Sequence, residues 1–178
     1  QSNFRSGAAI YLETANFEDH AFLNLKNCLF QQNRGLSFGS VYANGNLGQA
    51  GLYIESCEFK YNYAGYAGGG VALENYAQQD IPLTLDHCNF EGNFSRINGG
   101  AVWGKFNAPV FVRNCNFKRN AAYSGGGGIY LDTYNSIQSY LFENCDFEEN
   151  ESTLYIGEGS CIHISAQSIL PTTGEVHY

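Results

Sequence analysis

At 178 residues the chain has the length of one domain and can bury a sizeable core. Its net charge of −8, with only 9 Lys and Arg, argues against nucleic acid and anionic membrane surfaces as partners, because both need clustered cations. Charged residues make up 15% of the chain, so its solvent faces must be built from Asn, Gln, Ser, Thr, Tyr and Gly, and no apolar run is long enough for membrane insertion as a helix.

The chain begins at Gln1 with no initiator Met and no signal-like segment, as expected of a processed or excised piece whose export signal has been removed. The stretch from Asn3 to Tyr11 reads as the second half of a truncated repeat covering about residues 1–21. Five full repeats follow at about 22–50, 51–80, 81–107, 108–137 and 138–164, leaving 165–178 as the C-terminal tail of a single domain. Each repeat opens on an alternating apolar pair: Leu23 and Leu25, Leu52 and Ile54, Leu83 and Leu85, Val110 and Val112, Tyr140 and Phe142. The pattern C-x-F-x-x-N comes next. It is carried by Cys28, Phe30 and Asn33, then Cys57, Phe59 and Asn62, then Cys88, Phe90 and Asn93, then Cys115, Phe117 and Asn120, and finally Cys145, Phe147 and Asn150. Cys-to-Cys spacings of 29, 31, 27 and 30 residues are too regular for chance. A small-residue turn into a β-branched run closes each repeat, as in Gly39-Ser40-Val41-Tyr42 and Gly69-Gly70-Val71-Ala72. This pattern predicts three short strands per repeat and almost no helix.

Such repeats stack as an all-β, right-handed parallel β-helix of about five to six coils, with equivalent residues about 4.8 Å apart. The columns make physical sense in that register. Leu25, Ile54, Leu85, Val112 and Phe142 are all apolar and point inward, whereas Lys26, Glu55, Asp86, Arg113 and Glu143 are all charged and point outward. The column Gln31, Lys60, Glu91, Lys118, Glu148 alternates in sign, as vertical neighbours should. The Phe and Cys columns are expected inside, and the Asn column at a turn, with amides bonding along the stack. Loops between the third strand and the next coil, such as Thr14 to Ala21 and Glu74 to Ile81, are where recognition would most readily be placed.

The paired motifs F-x-x-N and G-G-[A/G]-[I/V] resemble the repeats of chlamydial polymorphic outer membrane proteins and related pectate-lyase-like β-helix proteins, from Asn3 to about Ile164. That resemblance implies a β-helix displayed at the cell surface as an adhesin or passenger domain. The chain shows neither a membrane barrel nor an export signal, so autotransport is not carried over.

No catalytic residue, metal site or cofactor is expected. Asp80, Asp86, Asp132 and Asp146 fall on different coils and columns, and the neighbours Glu148 and Glu149 point to opposite faces. Zinc ligation is disfavoured because the Cys lack close pairs. The Cys column reads either as buried free thiols or, in an exported protein, as disulfides, with Cys161 off the column. Two sequons, at Asn93 and Asn150, can carry glycans only if the Asn column is exposed. Tyr11, Tyr42, Ala72, Trp103, Tyr130 and His163 follow inward residues and so form an outward column. It is either a ring platform for glycans or a partner, or a set of strand aromatics that loops partly cover. Leu170-Pro171-Thr172-Thr173-Gly174 matches a sortase pattern but lacks the apolar span and basic tail. The reading that follows is a non-enzymatic structural or adhesive module, extracellular or at the cell surface. Its partners are copies of itself or neighbouring surface proteins, stacked head to tail into a fibre; the alternative is a carbohydrate-binding or polysaccharide-active protein.

Overall fold

The computed structural model describes residues 9–14, 16, 20–45, 49–78, 82–133, 139–153 and 161–166. They form a parallel β-solenoid without helix, in which each strand pairs with its equivalent one coil away. Taken in the order the chain visits them, the first sheet holds His20–Lys26, Gln49–Glu55, Leu83–Asp86, Val110–Arg113 and Tyr140–Glu143. The second holds the five three-residue strands Leu29–Gln31, Glu58–Lys60, Asn89–Glu91, Asn116–Lys118 and Asp146–Glu148. The fourth has six strands: Ile10–Glu13, Val41–Gly45, Val71–Gln78, Val102–Asn107, Ile129–Thr133 and Ile162–Ala166.

The third sheet corrects the expectation of three strands per repeat. The chain pairs again directly after each repeated Asn, in the two-residue strands Arg34–Gly35, Tyr63–Ala64, Phe94–Ser95, Ala121–Ala122 and Glu151–Ser152. Two residues are too few to show alternation in a sequence. Strands also run further than expected into the loops, with Val71–Gln78 and His20–Lys26 taking residues assigned to connections.

Corners between the sheets are made by single residues in the left-handed region. One precedes each repeated Cys: Asn27, Ser56, His87, Asn114 and Asn144, with φ between 51° and 54°. Another precedes each repeated Asn: Gln32, Tyr61, Gly92, Arg119 and Glu149, with φ between 53° and 62°. Only Gly adopts this conformation without steric cost, yet most of these corners are not Gly. The cost is offset by what each corner does, since it directs the following Cys or Asn inward.

The interior is one continuous core in which the repeated residues stand in single files. Phe30, Phe59, Phe90, Phe117 and Phe147 stack with centroids 4.9, 4.8, 4.8 and 4.7 Å apart and ring planes within 8° of parallel. Offset rings at this spacing contribute about 0.5–1.5 kcal/mol per pair beyond their burial. The Asn side chains bond along their file. Asn62 Nδ2 donates to Asn93 Oδ1 at 2.9 Å and to the Phe30 carbonyl at 2.9 Å, while Asn93 and Asn120 repeat the same pair one coil on. Vertical ion pairs on the outer faces follow the same register: Lys26 with Glu55 at 2.7 Å, Arg113 with Glu143 at 3.3 Å and Lys118 with Glu148 at 2.6 Å. These exposed pairs set register more than they stabilise, each being worth at most about 1 kcal/mol.

Candidate functional site

The aromatic column expected to face solvent is largely covered. Its register is as read, with Tyr11, Tyr42, Ala72, Trp103, Tyr130 and His163 in line on the fourth sheet. Tyr42 is fully buried and Trp103 is 3% exposed, whereas Tyr11 stays 43% exposed and Tyr130 and His163 are half-buried. The cover comes from the segment between the repeated Asn and the Gly turn. Phe38 stacks on Tyr42 at 3.9 Å and leans on Trp103 at 5.4 Å, and Tyr66 meets Trp103 edge-on at 6.1 Å. Left-handed Gly68, Gly99 and Gly126 fold that segment back, and Phe38, Ala67, Asn98 and Gly125 bridge from coil to coil. The result is a second, outer core of Phe38, Tyr42, Ala67, Ala72 and Trp103 rather than a platform. Small Ala72 between Tyr42 and Trp103 was the available signal, because the missing ring leaves the room that Phe38 takes between the other two.

The sequon Asn residues are likewise committed. Asn93 is fully buried, and its amide donates to the Phe59 carbonyl at 2.8 Å and to Asn120 Oδ1 at 2.9 Å. Asn150, 7% exposed, donates to the Phe117 carbonyl at 2.7 Å. An amide nitrogen so placed cannot carry a glycan without unpacking its coil.

All six Cys are free thiols. Each column Sγ turns to the carbonyl two residues earlier, as Cys57 does to Glu55 at 3.3 Å and Cys115 to Arg113 at 3.0 Å. Burial pushes the Cys57 thiol up to about 11. Cys115 is also raised, first by its side-chain interactions with the neighbouring Cys145 and Cys88 thiols and then by burial. The same interaction with Cys115 lowers half-buried Cys145 to about 7.

Ionisable residues come together in one place that the sequence reading missed. Glu13, Asn44, Glu74, Lys105, Asp132 and Ser165 form a file on the fourth sheet. Buried Glu74 accepts a hydrogen bond from the Tyr42 hydroxyl at 2.7 Å, and Lys105 reaches Asp132 at 3.9 Å. Lys105 thus stands in register between the two carboxylates and pairs with Asp132, while the Tyr42 hydroxyl engages Glu74. Of the scattered acids, Asp86 and Asp146 lie on the first and second sheets, and Asp80 lies outside the described residues, as does the 170–174 motif. Among the described residues, no group of three or more His, Cys, Asp or Glu could hold a metal ion.

The third sheet carries an open hollow. Its outward file is Arg34, Tyr63, Phe94, Ala121 and Glu151. The Arg34 guanidinium lies 4.6 Å from the Tyr63 centroid, and the Tyr63 and Phe94 rings stack at 5.7 Å and 20°. At Ala121 the rings stop. Alongside, Gly65, Arg96 and Tyr123 form the next file, their N–H groups donating to Gly35, Ala64 and Ser95 carbonyls at 3.0, 3.0 and 3.2 Å. Tyr63, Phe94, Arg96 and Tyr123 line a space of about 300 Å³. These residues vary from coil to coil, so the repeat pattern that reveals the fold hides them.

Residues 114–132 match the family model for the Chlamydia polymorphic membrane protein repeat. The matched span runs from the Asn114 corner through Phe117 and Asn120 to the fourth-sheet strand at Ile129, so it contains both motifs on which the resemblance rests. No curated protein and no solved structure matches the chain. The described residues therefore join a repeat of the Chlamydia polymorphic membrane protein type to a parallel β-solenoid, as the resemblance implied.

Proposed function

We propose that the chain is a non-enzymatic structural and adhesive module displayed at the cell surface, where it stacks end to end on neighbouring surface proteins or on copies of itself. The observation that carries this reading is where the repeated residues are used. Cys, Phe and Asn recur in every coil and all go to building the interior files, while the outer faces carry balanced vertical charge pairs. The match to a membrane-protein repeat supports a surface location. Among the described residues, Tyr140–Glu143, Asp146–Glu148 and Glu151–Ser152 bound their sheets, with Phe142 and Phe147 only partly covered. An edge of this kind accepts a further coil, whether from the same polypeptide or a neighbour. Repeated head to tail, such contacts do not close and give a fibre.

Antibody labelling and protease shaving of intact source cells test the location, and signal only after lysis would overturn it. Negative-stain imaging at rising concentration tests the stacking. Rods that lengthen are expected, and discrete particles throughout would exclude self-assembly. Release of reducing ends from acidic polysaccharides, with or without calcium, would overturn the non-enzymatic reading.

A further inference from the structure

We propose that the third sheet is a self-complementary face on which a second copy of the chain packs side against side and antiparallel, about a two-fold axis at Phe94.

The outward file of that sheet reads Arg34, Tyr63, Phe94, Ala121 and Glu151. A two-fold axis through Phe94, perpendicular to the sheet, exchanges positions the same number of coils above and below it. Arg34 then meets the partner's Glu151, Tyr63 meets the partner's Ala121, and Phe94 meets the partner's Phe94. Opposite charges face each other at both ends, and a ring faces a methyl group at both intermediate steps, as an isologous contact requires. On the other faces vertical neighbours satisfy such charges within the chain, as Lys118 does with Glu148. Arg34 and Glu151 are exposed, and neither makes an ion pair among the described residues. Four coil steps of about 4.8 Å hold them about 19 Å apart, so only another molecule can join them.

The flanking files obey the same axis. It sets Arg96 over the partner's Gly92 and Tyr123 over the partner's Tyr61, a large residue on a small one and a ring on a ring. The Tyr61 ring leans over Gly92, where an added Cβ would meet it at 2.5 Å. Its counterpart from the partner therefore falls over the hollow of about 300 Å³ that Tyr63, Phe94, Arg96 and Tyr123 line. Composition points the same way. Of the eight large apolar side chains exposed among the described residues, five lie within two residues of the third-sheet strands: Leu36, Tyr61, Tyr66, Ile97 and Tyr123. A cluster of exposed rings with Arg is what contact surfaces concentrate. The face is only about 19 Å tall and a few residues wide, less than the roughly 800 Å² per partner of a standard interface, so the pair is a weak one with Kd on the order of tens of micromolar.

The test is sedimentation velocity of the chain from low micromolar to near-millimolar concentration, where a reversible pair is expected. Arg34→Glu and Glu151→Arg should each weaken it about tenfold or more, because each puts two like-charge contacts into the pair. Both substitutions in one chain, or an equimolar mixture of the two single variants, should restore it. Ala121→Arg, in the middle of the face, should abolish pairing while leaving the circular dichroism spectrum unchanged. A chain that stays monomeric throughout, single variants that pair like the parent, or a folded double variant as weak as the singles overturns the proposal. Association that Ala121→Arg leaves unchanged is end-to-end stacking alone and also overturns it, so the two modes of contact fail separately.

Discussion

Replacing Asn120 by Ala removes four hydrogen bonds at the centre of the solenoid. Asn120 Nδ2 donates to the Phe90 carbonyl and to Asn150 Oδ1, both at 2.9 Å. Its Oδ1 accepts from the Asn93 backbone N–H at 3.0 Å and from the Asn93 amide at 2.9 Å. Asn150 Oδ1 keeps the Asn120 backbone N–H, but the Phe90 carbonyl, the Asn93 N–H and one Asn93 amide hydrogen each lose a partner where water cannot reach. A buried polar group left unsatisfied costs about 1–3 kcal/mol; the Phe90 carbonyl keeps its place in the strand ladder, so the two orphaned Asn93 donors should cost roughly 2–6 kcal/mol. Against a typical stability of about 5–15 kcal/mol that is a large fraction. Urea unfolding followed by circular dichroism and Trp103 fluorescence measures it. Asn116→Ala, four residues earlier on an exposed position of the second sheet, is the control and should change stability by less than about 0.5 kcal/mol. Equal, small effects from the two substitutions would refute the reasoning that the Asn file holds the coils together.

Trp103→Ala should cost about 3–5 kcal/mol, and the native emission should be that of a buried indole; a solvent-exposed spectrum would contradict the outer core. Expression through a eukaryotic secretory pathway should leave Asn93 and Asn150 unglycosylated in folded protein, read as an intact mass unchanged by glycan-removing enzyme. At the corner before the repeated Asn, Gly92→Ala should destabilise by about 1–2 kcal/mol, because its φ is 62° and a Cβ there would meet the Tyr61 ring at 2.5 Å. Exposed Glu149→Gly at the equivalent corner should gain up to about 1 kcal/mol, both read by thermal unfolding. Iodoacetamide should label Cys145 ahead of Cys57, because the thiolate is the nucleophile. The Cys145 rate should rise through pH about 7 and then level, whereas Cys57, pushed up to about 11, stays protonated there; mass spectrometry of peptides decides between them.

The repeat made the solenoid legible because every coil must satisfy the same inward geometry, so Phe30 to Phe147 and Asn33 to Asn150 recur at fixed offsets. The charged columns added an independent check on register, and Lys26 with Glu55 and Lys118 with Glu148 are its physical expression. What stayed hidden is what differs between coils. Alternation correctly turned Tyr42 and Trp103 away from the inner core, but alternation cannot say whether another segment lies on top, and Phe38 and Tyr66 do. The third sheet escaped notice because two-residue strands carry no period. Its hollow depends on Tyr63 and Phe94 standing beside Arg96 and Tyr123, a relation that exists only once the coils are superposed in the right register. Glu74, Lys105 and Asp132 became neighbours in the same way, from sequence positions about one coil apart.

Ring-to-ring nuclear Overhauser effects, measured with protonated Phe rings in a deuterated background, probe that register most directly. Cross-peaks should run in one unbroken series from Phe30 to Phe59, Phe90, Phe117 and Phe147, consistent with centroids under 5 Å apart. Contacts that skip a coil, or rings with no Phe neighbour at all, would contradict the stacking and everything built upon it.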